Sequence, residues 1–283
     1  MDDTKKVAVI NLKGGVGKST VTLALATMLA GAFDKRVLVI DLDPQTNSTI
    51  MLIGEDKWKA LNDQGNTLHS FFKAALDGTC PVDINSIVQH DVSNIRDVTG
   101  IDLLPSSLDM VDLQDRIGMA GQRQFNWSSP TDILMNAIGG IEGDYDYIII
   151  DCPPNLGLIT LNGLQIADGF VIPTIPDYLS TYGIPQIVNR VKRFSENIGR
   201  NIQCYGVIPT RVRTQSRQHM MTIDRLRKGY DAPCFNSILC ESTRISEAAE
   251  YQAYNTLHQK WGYMRQYEQL RALASEFMWR VGS

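Results

Sequence analysis

Residues 7–20 join an apolar run, a glycine-rich turn and the start of a helical pattern, and few folds accommodate that order. The run Val7–Ile10 is typical of a buried strand. The turn that follows reads Lys13-Gly14-Gly15-Val16-Gly17-Lys18-Ser19-Thr20. Glycines let consecutive backbone N–H groups point into one concavity, where the dipole of the next helix adds positive potential. The order therefore predicts a phosphate-binding loop, in which Lys18 contacts the outer phosphates and Ser19 offers its hydroxyl to Mg²⁺.

The loop departs from the strict phosphate-loop pattern, because Leu12 stands where glycine is usual and Lys13 adds a second lysine. This form, Lys-Gly-Gly-Val-Gly-Lys-Ser, resembles the deviant Walker A loop of the ParA/MinD family of ATPases. The resemblance implies that residues 13–20 bind the nucleotide and that Lys13 reaches the phosphates of the partner subunit across a dimer interface. A chance turn with a solvated Lys13 is the alternative, which the strand–turn–helix context disfavours.

Two further predicted strands deliver aspartates to the same edge of the sheet. Lys35–Asp41 continues into Leu42-Asp43-Pro44-Gln45, and Tyr145–Asp151 continues into Cys152-Pro153-Pro154. Carboxylates at the carboxyl ends of parallel strands can hold Mg²⁺ or orient an attacking water, although a plain turn or an ordinary buried strand would explain either motif alone. The resemblance implies that Asp43 positions the hydrolytic water, that Asp41 supports the metal shell and that Asp151 holds a Mg²⁺-bound water.

Strands alternate with helices along the chain, which predicts an α/β fold with a doubly wound, mostly parallel sheet flanked by helices. With the resemblance, this is the P-loop NTPase fold. The 283 residues would allow two domains, but no linker or repeat is evident, so one ATPase domain over 1–283 is predicted. Within 54–130, where the pattern is weakest, Gly54–Asn66 and Gly118–Ser129 are interpreted as surface loops or insertions.

The remaining patterns predict where the other strands and helices lie. The predicted strands are Ile101–Leu104, Gly169–Pro173, Cys204–Ile208 and Phe235–Leu239. The predicted helices are Ser19 to about Gly31, Thr67–Leu76, Ser106–Ile117, Pro130–Ile138, Leu158–Ala167, Ile184–Ile198, Gln215–Lys228 and Tyr263–Val281.

Composition favours a soluble cytoplasmic protein. The chain has no C-x-x-C pair among its five cysteines, which disfavours a disulfide framework, a zinc site and an iron–sulfur relative. It has neither a signal peptide pattern nor an apolar run long enough to span a membrane. Cys80, Cys152, Cys204, Cys234 and Cys240 are therefore expected to be reduced.

A basic segment interrupts an otherwise acidic chain. Residues 186–228 contain ten basic and two acidic residues, so this segment carries +8 and the remainder −12 of the net −4. A solvated helix face is the ordinary interpretation of such a segment. The family binds DNA without sequence preference when ATP is bound, and Arg213 and Arg244 align with its DNA-contacting arginines. Arg217 is a third candidate, and a nucleoid-associated location follows from this prediction.

The nucleotide is expected to be ATP, with Mg²⁺ as its cofactor, because the guanine-reading Asn-Lys-x-Asp motif is absent from the sequence. The resemblance places the adenine contacts near Pro209-Thr210. Asp177-Tyr178 departs from the family, many members of which carry a glutamate and an apolar residue there.

The function that the resemblance implies is DNA partition. ATP would drive a sandwich homodimer onto double-stranded DNA, and a ParB-like protein or a cargo adaptor would stimulate weak hydrolysis and release it, segregating a plasmid, a chromosome or another cargo. A MinD-like membrane-cycling ATPase is one alternative, which the mixed charge of 263–281 disfavours, so no membrane partner is expected. A P-loop biosynthetic ligase is the other, and it would need a small-molecule pocket.

Overall fold

Six parallel strands form one sheet in the computed structural model, which describes residues 4–77, 82–119, 129–229, 231–263 and 265–282. The strands are β1 (Lys5–Val9), β2 (Val37–Asp41), β3 (Ile101–Leu104), β4 (Tyr147–Asp151), β5 (Gly169–Thr174) and β6 (Gln203–Pro209). Their order across the sheet is β3-β2-β4-β1-β5-β6. The strand that leads into the glycine-rich turn, β1, is therefore central; β4 and β5 lie beside it, and β2 lies on the far side of β4.

Helices cover both faces of this sheet. They are α1 (Lys18–Phe33), α2 (Asn47–Ile53), α3 (Glu55–Asp63), α4 (Leu68–Asp77), α5 (Met110–Met119), α6 (Ile133–Ile138), α7 (Leu158–Ile166), α8 (Tyr178–Tyr182), α9 (Ile184–Ile198), α10 (Arg217–Lys228), α11 (Thr243–Glu247), α12 (Leu257–Trp261) and α13 (Arg265–Gly282). Within the described ranges, no helix is long and apolar enough to cross a membrane.

Successive side chains of each strand enter different cores, because a strand points alternate residues to opposite faces. Val7 and Val9 pack with α1, α12 and α13 on one face. Ala8 and Ile10 pack with residues of α4 to α7 and α9 on the other. Both cores are apolar, which explains why β2 and β4 are apolar at consecutive positions. The predicted doubly wound α/β fold is confirmed.

Local patterns located most elements well. The strand Ile101–Leu104 and the helix Ile184–Ile198 begin and end where they were predicted to. The second and fourth strands start two residues later than predicted, at Val37 and Tyr147. The helix predicted over Ser106–Ile117 begins only at Met110, because Ser106 is buried and its hydroxyl donates to the carbonyl of Asp43.

One predicted helix end was two residues early, and one predicted loop was wrong. The first helix, predicted to end at about Gly31, continues to Phe33. Gly31 serves close packing instead, since an added Cβ would lie 2.5 Å from the Val98 side chain. Gly54–Asn66 is not a loop, because α3 occupies most of it and buries Trp58 at 8 % exposure. Most of the other predicted loop, 118–129, lies outside the described residues, as does Cys80.

The end of the chain also differs from the prediction. Phe235–Leu239 is not a strand; it follows the edge of β6 through separate hydrogen bonds, such as Phe235 N–H to the Val207 carbonyl at 2.9 Å. Pro130 lies in a turn, and its helix begins at Ile133. The long last helix is preceded by α12, and Gly262, with φ +102°, follows that short helix.

Candidate nucleotide site

The glycine-rich turn lies between β1 and α1, at the carboxyl edge of the sheet. Gly15 and Gly17 adopt φ +73° and +90°, a left-handed backbone that disfavours other residues. Two side chains from the loop after β6 hold this turn: the Thr210 hydroxyl donates to the Val16 carbonyl at 2.7 Å, and Arg211 Nη1 donates to the Gly15 carbonyl at 3.3 Å. The predicted phosphate-binding loop thus has the required position and backbone.

The two lysines of the turn have different surroundings. Lys18 opens α1 and is 6 % exposed. Lys13 lies nearer solvent and points to the start of α8, where its Nζ donates to Ser180 Oγ at 2.8 Å and lies 3.5 Å from Asp177 Oδ2. Asp177 also caps α8 by accepting from the Ser180 N–H at 2.7 Å. The position at which this chain departs from the family therefore binds the extra lysine.

Asp41 and Asp151 are paired across neighbouring strands at the same edge. Both are fully buried. Burial, and then the negative charge of Asp151, raises the pKa of Asp41 well above its usual range. Burial raises the pKa of Asp151 to about 6, against the opposing influence of nearby Ser19 and Ser48 hydroxyl groups. Two adjacent buried carboxylates indicate a place for positive charge.

The donors present fit a magnesium ion at Asp151. Its Oδ2 accepts from Ser48 Oγ at 2.7 Å, whereas its buried Oδ1 has no hydrogen-bond partner among the described residues. A carboxylate oxygen and the Ser19 hydroxyl are ligands that Mg²⁺ prefers. Asp41 differs, because its Oδ1 accepts from the Asp43 N–H at 3.1 Å and its Oδ2 from the Thr49 N–H and hydroxyl. Asp41 therefore orients the strand ends, and Asp151 keeps an oxygen available.

A cavity of about 500 Å³ opens over this edge. It is lined by the turn from Gly14 to Val21 except Val16, by Asp43, Gln45, Asn47, Ile50, Met51 and Pro154, and by Thr210, Arg211, Leu239–Ser242, Ile245, Ser246 and Ala249. Asp43 is 4 % exposed, and burial raises the pKa of its carboxyl group although Lys18 and the Gln45 N–H oppose this. Pro209, which was predicted to lie near the adenine, ends β6. The next two residues, Thr210 and Arg211, form part of the cavity wall.

Two of the candidate DNA-binding arginines, Arg213 and Arg244, lie beside this cavity. Nine of the ten basic residues of 186–228 are exposed, the exception being Arg200. Arg213 is 63 % exposed and pairs with Glu241 at 2.5 Å. Arg244 pairs with Glu247 at 3.4 Å. Arg217 opens α10 and also lines a second cavity, of about 550 Å³, between that helix and α8–α9.

Several contacts at this site were not predicted from the sequence. Ser48, Thr49 and Glu241 were not named, and Thr210 was named only for its place near the adenine, because each contacts a residue in another element or loop. The polar run that begins α2 does place two hydroxyl groups one turn beyond Asp43. That spacing alone could have suggested Ser48 and Thr49 as supports for the carboxylates.

Comparisons with known proteins agree with this geometry. A family model described as an AAA domain matches residues 4–204. The sporulation initiation inhibitor protein Soj of Bacillus subtilis is 28 % identical over 87 % of this chain and 88 % of its own. The chromosome partitioning protein ParA of Caulobacter vibrioides is 27 % identical over 87 % of this chain and 84 % of its own.

Solved structures share the fold. A putative plasmid partition protein from Borrelia burgdorferi, bound to AMPPNP, has a TM-score of 0.73 and 21 % identity over 98 % of this chain and 99 % of its own. Cobyrinic acid a,c-diamide synthase from Mycobacterium smegmatis, with an ATP analogue and magnesium, has a TM-score of 0.74 and 23 % identity over 99 % of this chain and 97 % of its own. From the family match and the partition relatives, the chain belongs to the AAA domain family and, within it, to the ParA/Soj-type partition ATPases.

Proposed function

We propose that this protein hydrolyses ATP as a nucleotide-bridged homodimer that binds DNA and is released by a partner protein. The observation that carries the proposal is the convergence of Lys18, Ser19, Asp43 and the available Asp151 oxygen at one edge of the sheet, beneath a cavity of nucleotide size. Phosphoryl transfer to water needs a phosphate cradle, a metal site and a group that orients the water. The chain offers a residue for each.

Each residue has a distinct part in the proposed reaction. The backbone N–H groups of 14–20 would hold the phosphates, and Lys18 would place its ammonium against their outer oxygens. Ser19 and Asp151 would hold Mg²⁺, which when bound offsets the negative charge of the phosphates. The carboxyl group of Asp43 would orient the attacking water. Asp41 would keep the loop after β2 in place through its hydrogen bonds to Asp43 and Thr49.

Lys13 supports the dimer. Its side chain is 41 % exposed and lies at the rim of the site rather than inside it. An exposed ammonium that contacts Ser180 and Asp177 can exchange these for the phosphates of a nucleotide in a second subunit, since exposed ion pairs are weak. ATP would therefore connect two subunits face to face.

The charge of 186–228 and the names of similar proteins support the DNA-binding and partition parts of the proposal. The exposed arginines and lysines of 186–228 can neutralise backbone phosphates without reading bases. The similar Soj and ParA proteins carry sporulation and chromosome-partitioning names. The proposed role is thus segregation of a plasmid or chromosome, with hydrolysis stimulated by a ParB-like or cargo-adaptor protein, in the cytoplasm on the nucleoid.

Light scattering with ATP, ADP or no nucleotide, together with phosphate release, tests the catalytic part of this proposal. The wild type should dimerise only with ATP. Asp43→Ala should dimerise but not turn over, Lys18→Ala should bind no nucleotide, and Lys13→Ala should bind ATP as a monomer. The exposed Lys57→Ala is the matched control and should behave as the wild type. A wild-type protein that hydrolyses ATP as a monomer, at a rate unchanged in Lys13→Ala, would contradict the proposal.

A further inference from the structure

Two loops meet between the nucleotide cavity and the exposed basic residues of 186–228. One follows β6 and carries Arg211 and Arg213; the other precedes α11 and carries Glu241. Backbone hydrogen bonds join them, with the Val212 N–H donating to the Leu239 carbonyl at 2.9 Å and the Glu241 N–H to the Val212 carbonyl at 3.0 Å. A movement of one loop is therefore transmitted to the other.

Glu241 binds both arginines of the neighbouring loop. Its Oε2 accepts from Arg213 Nε at 2.5 Å and its Oε1 from Arg213 Nη2 at 3.3 Å, a two-pronged contact. Arg211 Nη2 lies 3.6 Å from the same Oε1. The hydrogen bonds from Arg213 lower the pKa of the Glu241 carboxyl group, so it is negative at neutral pH. One carboxylate thus neutralises charge on two arginines that are more than half exposed.

Arg211 extends this contact to the phosphate-binding loop. Its Nη1 donates to the Gly15 carbonyl, and its backbone has φ +48°, which is uncommon for an arginine. Arg211 and Glu241 both line the nucleotide cavity. A nucleotide in that cavity would bring negative charge beside the carboxylate and would compete with it for the Arg211 guanidinium.

We propose that Glu241 is a positioning residue that withholds Arg213 from DNA while the cavity lacks nucleotide. Nucleotide binding would draw Arg211 toward the ligand and loosen Glu241, leaving Arg213 available to a DNA phosphate. The exposed ion pairs suit this role because they are weak enough to exchange. The inference rests on the proposed DNA-binding function and adds the group that makes binding depend on nucleotide.

Binding of nucleotide-free protein to random-sequence duplex DNA tests the proposal with Glu241→Gln, which keeps the shape of the side chain and removes its charge. One additional phosphate contact should tighten binding about eightfold at 0.1 M salt and about 3.5-fold at 0.25 M, because each contact releases ~0.9 counterion. The ratio of affinities with and without ATP should fall by the same factors. Glu268→Gln, an exposed change of equal charge on α13, is the control and should bind as the wild type.

A double variant separates release of Arg213 from a change of net charge. Arg213→Ala combined with Glu241→Gln should lose the gain in affinity and the steeper salt dependence. If the wild type binds DNA with ATP but Glu241→Gln does not tighten nucleotide-free binding, the inference is overturned and the proposed function stays intact. The same holds if Glu268→Gln gains as much affinity as Glu241→Gln. A wild type that binds no DNA with any nucleotide would instead refute the proposed function itself.

Discussion

Lys260 lies on α12 with 0 % exposure, in the core between the sheet and the last helices. Its Nζ donates to Asn94 Oδ1 at 2.7 Å and lies 5.3 Å from the ring centroid of Trp261. Among the described residues, no carboxylate forms an ion pair with it. Burial lowers the pKa of this lysine to about 7. The unfolded chain therefore binds a proton that the folded protein loses as pH rises above 7.

This difference makes the stability depend on pH in a predictable direction. Between pH 7 and the unfolded pKa of roughly 10.4, the unfolded state holds more protons, so the free energy of unfolding rises with pH. The slope is at most about 1.4 kcal/mol per pH unit. From pH 7 to pH 9 the folded lysine goes from half protonated to almost neutral, which gives an increase of about 2 kcal/mol from this residue.

Urea unfolding of the wild type and of Lys260→Met at pH 7 and pH 9 isolates the effect. The lost hydrogen bond to Asn94 lowers the stability of the variant equally at both pH values, so it cancels from the comparison. The free energy of unfolding of the wild type, relative to that of Lys260→Met, should rise by about 2 kcal/mol from pH 7 to pH 9. The exposed Lys57→Met should show no such change, and a constant advantage for Lys260 would refute the reasoning.

Three further changes test particular contacts. Gly31→Ala should destabilise the protein by about 1–3 kcal/mol in urea, because its Cβ would overlap Val98; an unchanged midpoint would contradict that packing. Ser48→Ala should weaken ATP binding about tenfold in calorimetry with Mg²⁺ but not without it, since the hydroxyl supports Asp151; equal losses in both would rule out a metal effect. Asp177→Ala should cost about 1 kcal/mol in urea through the lost cap of α8, whereas Asp177→Asn should cost little; equal costs would make the charge, not the cap, responsible.

Local sequence predicted the fold well wherever one short segment determines its own structure. Consecutive apolar residues identified β2 and β4 because both faces of their sheet are buried. The glycine-rich turn and the following aspartates identified their sheet edge because parallel strands bring their carboxyl ends together. These signals lie within a few residues of the structure that they specify.

Predictions that depended on tertiary contacts were less successful. Gly31 indicated the end of a helix, whereas Val98 and Leu257 account for it from elsewhere in the chain. The many polar residues of α3 led to its prediction as a loop, although Trp58 and Leu61 are spaced as on one helix face. The hydrogen bonds that hold the site together were not predicted for the same reason, since the one from Thr210 to Val16 spans 194 residues. No local pattern encodes a hydrogen bond of that separation.

We propose that ATP makes this protein bind DNA through the exposed arginines and lysines of 186–228. The most direct test is affinity for random-sequence duplex DNA with ATP, with ADP and without nucleotide, at two salt concentrations, for the wild type, Arg213→Ala and the exposed α9 control Arg193→Ala. We expect tight binding with ATP only, and a loss in Arg213→Ala that exceeds the loss in the control. For each tenfold rise in salt, the affinity should fall by roughly 0.9 logarithmic units per neutralised phosphate. Equal binding with ATP and ADP, or none at either salt concentration, would contradict this mechanism.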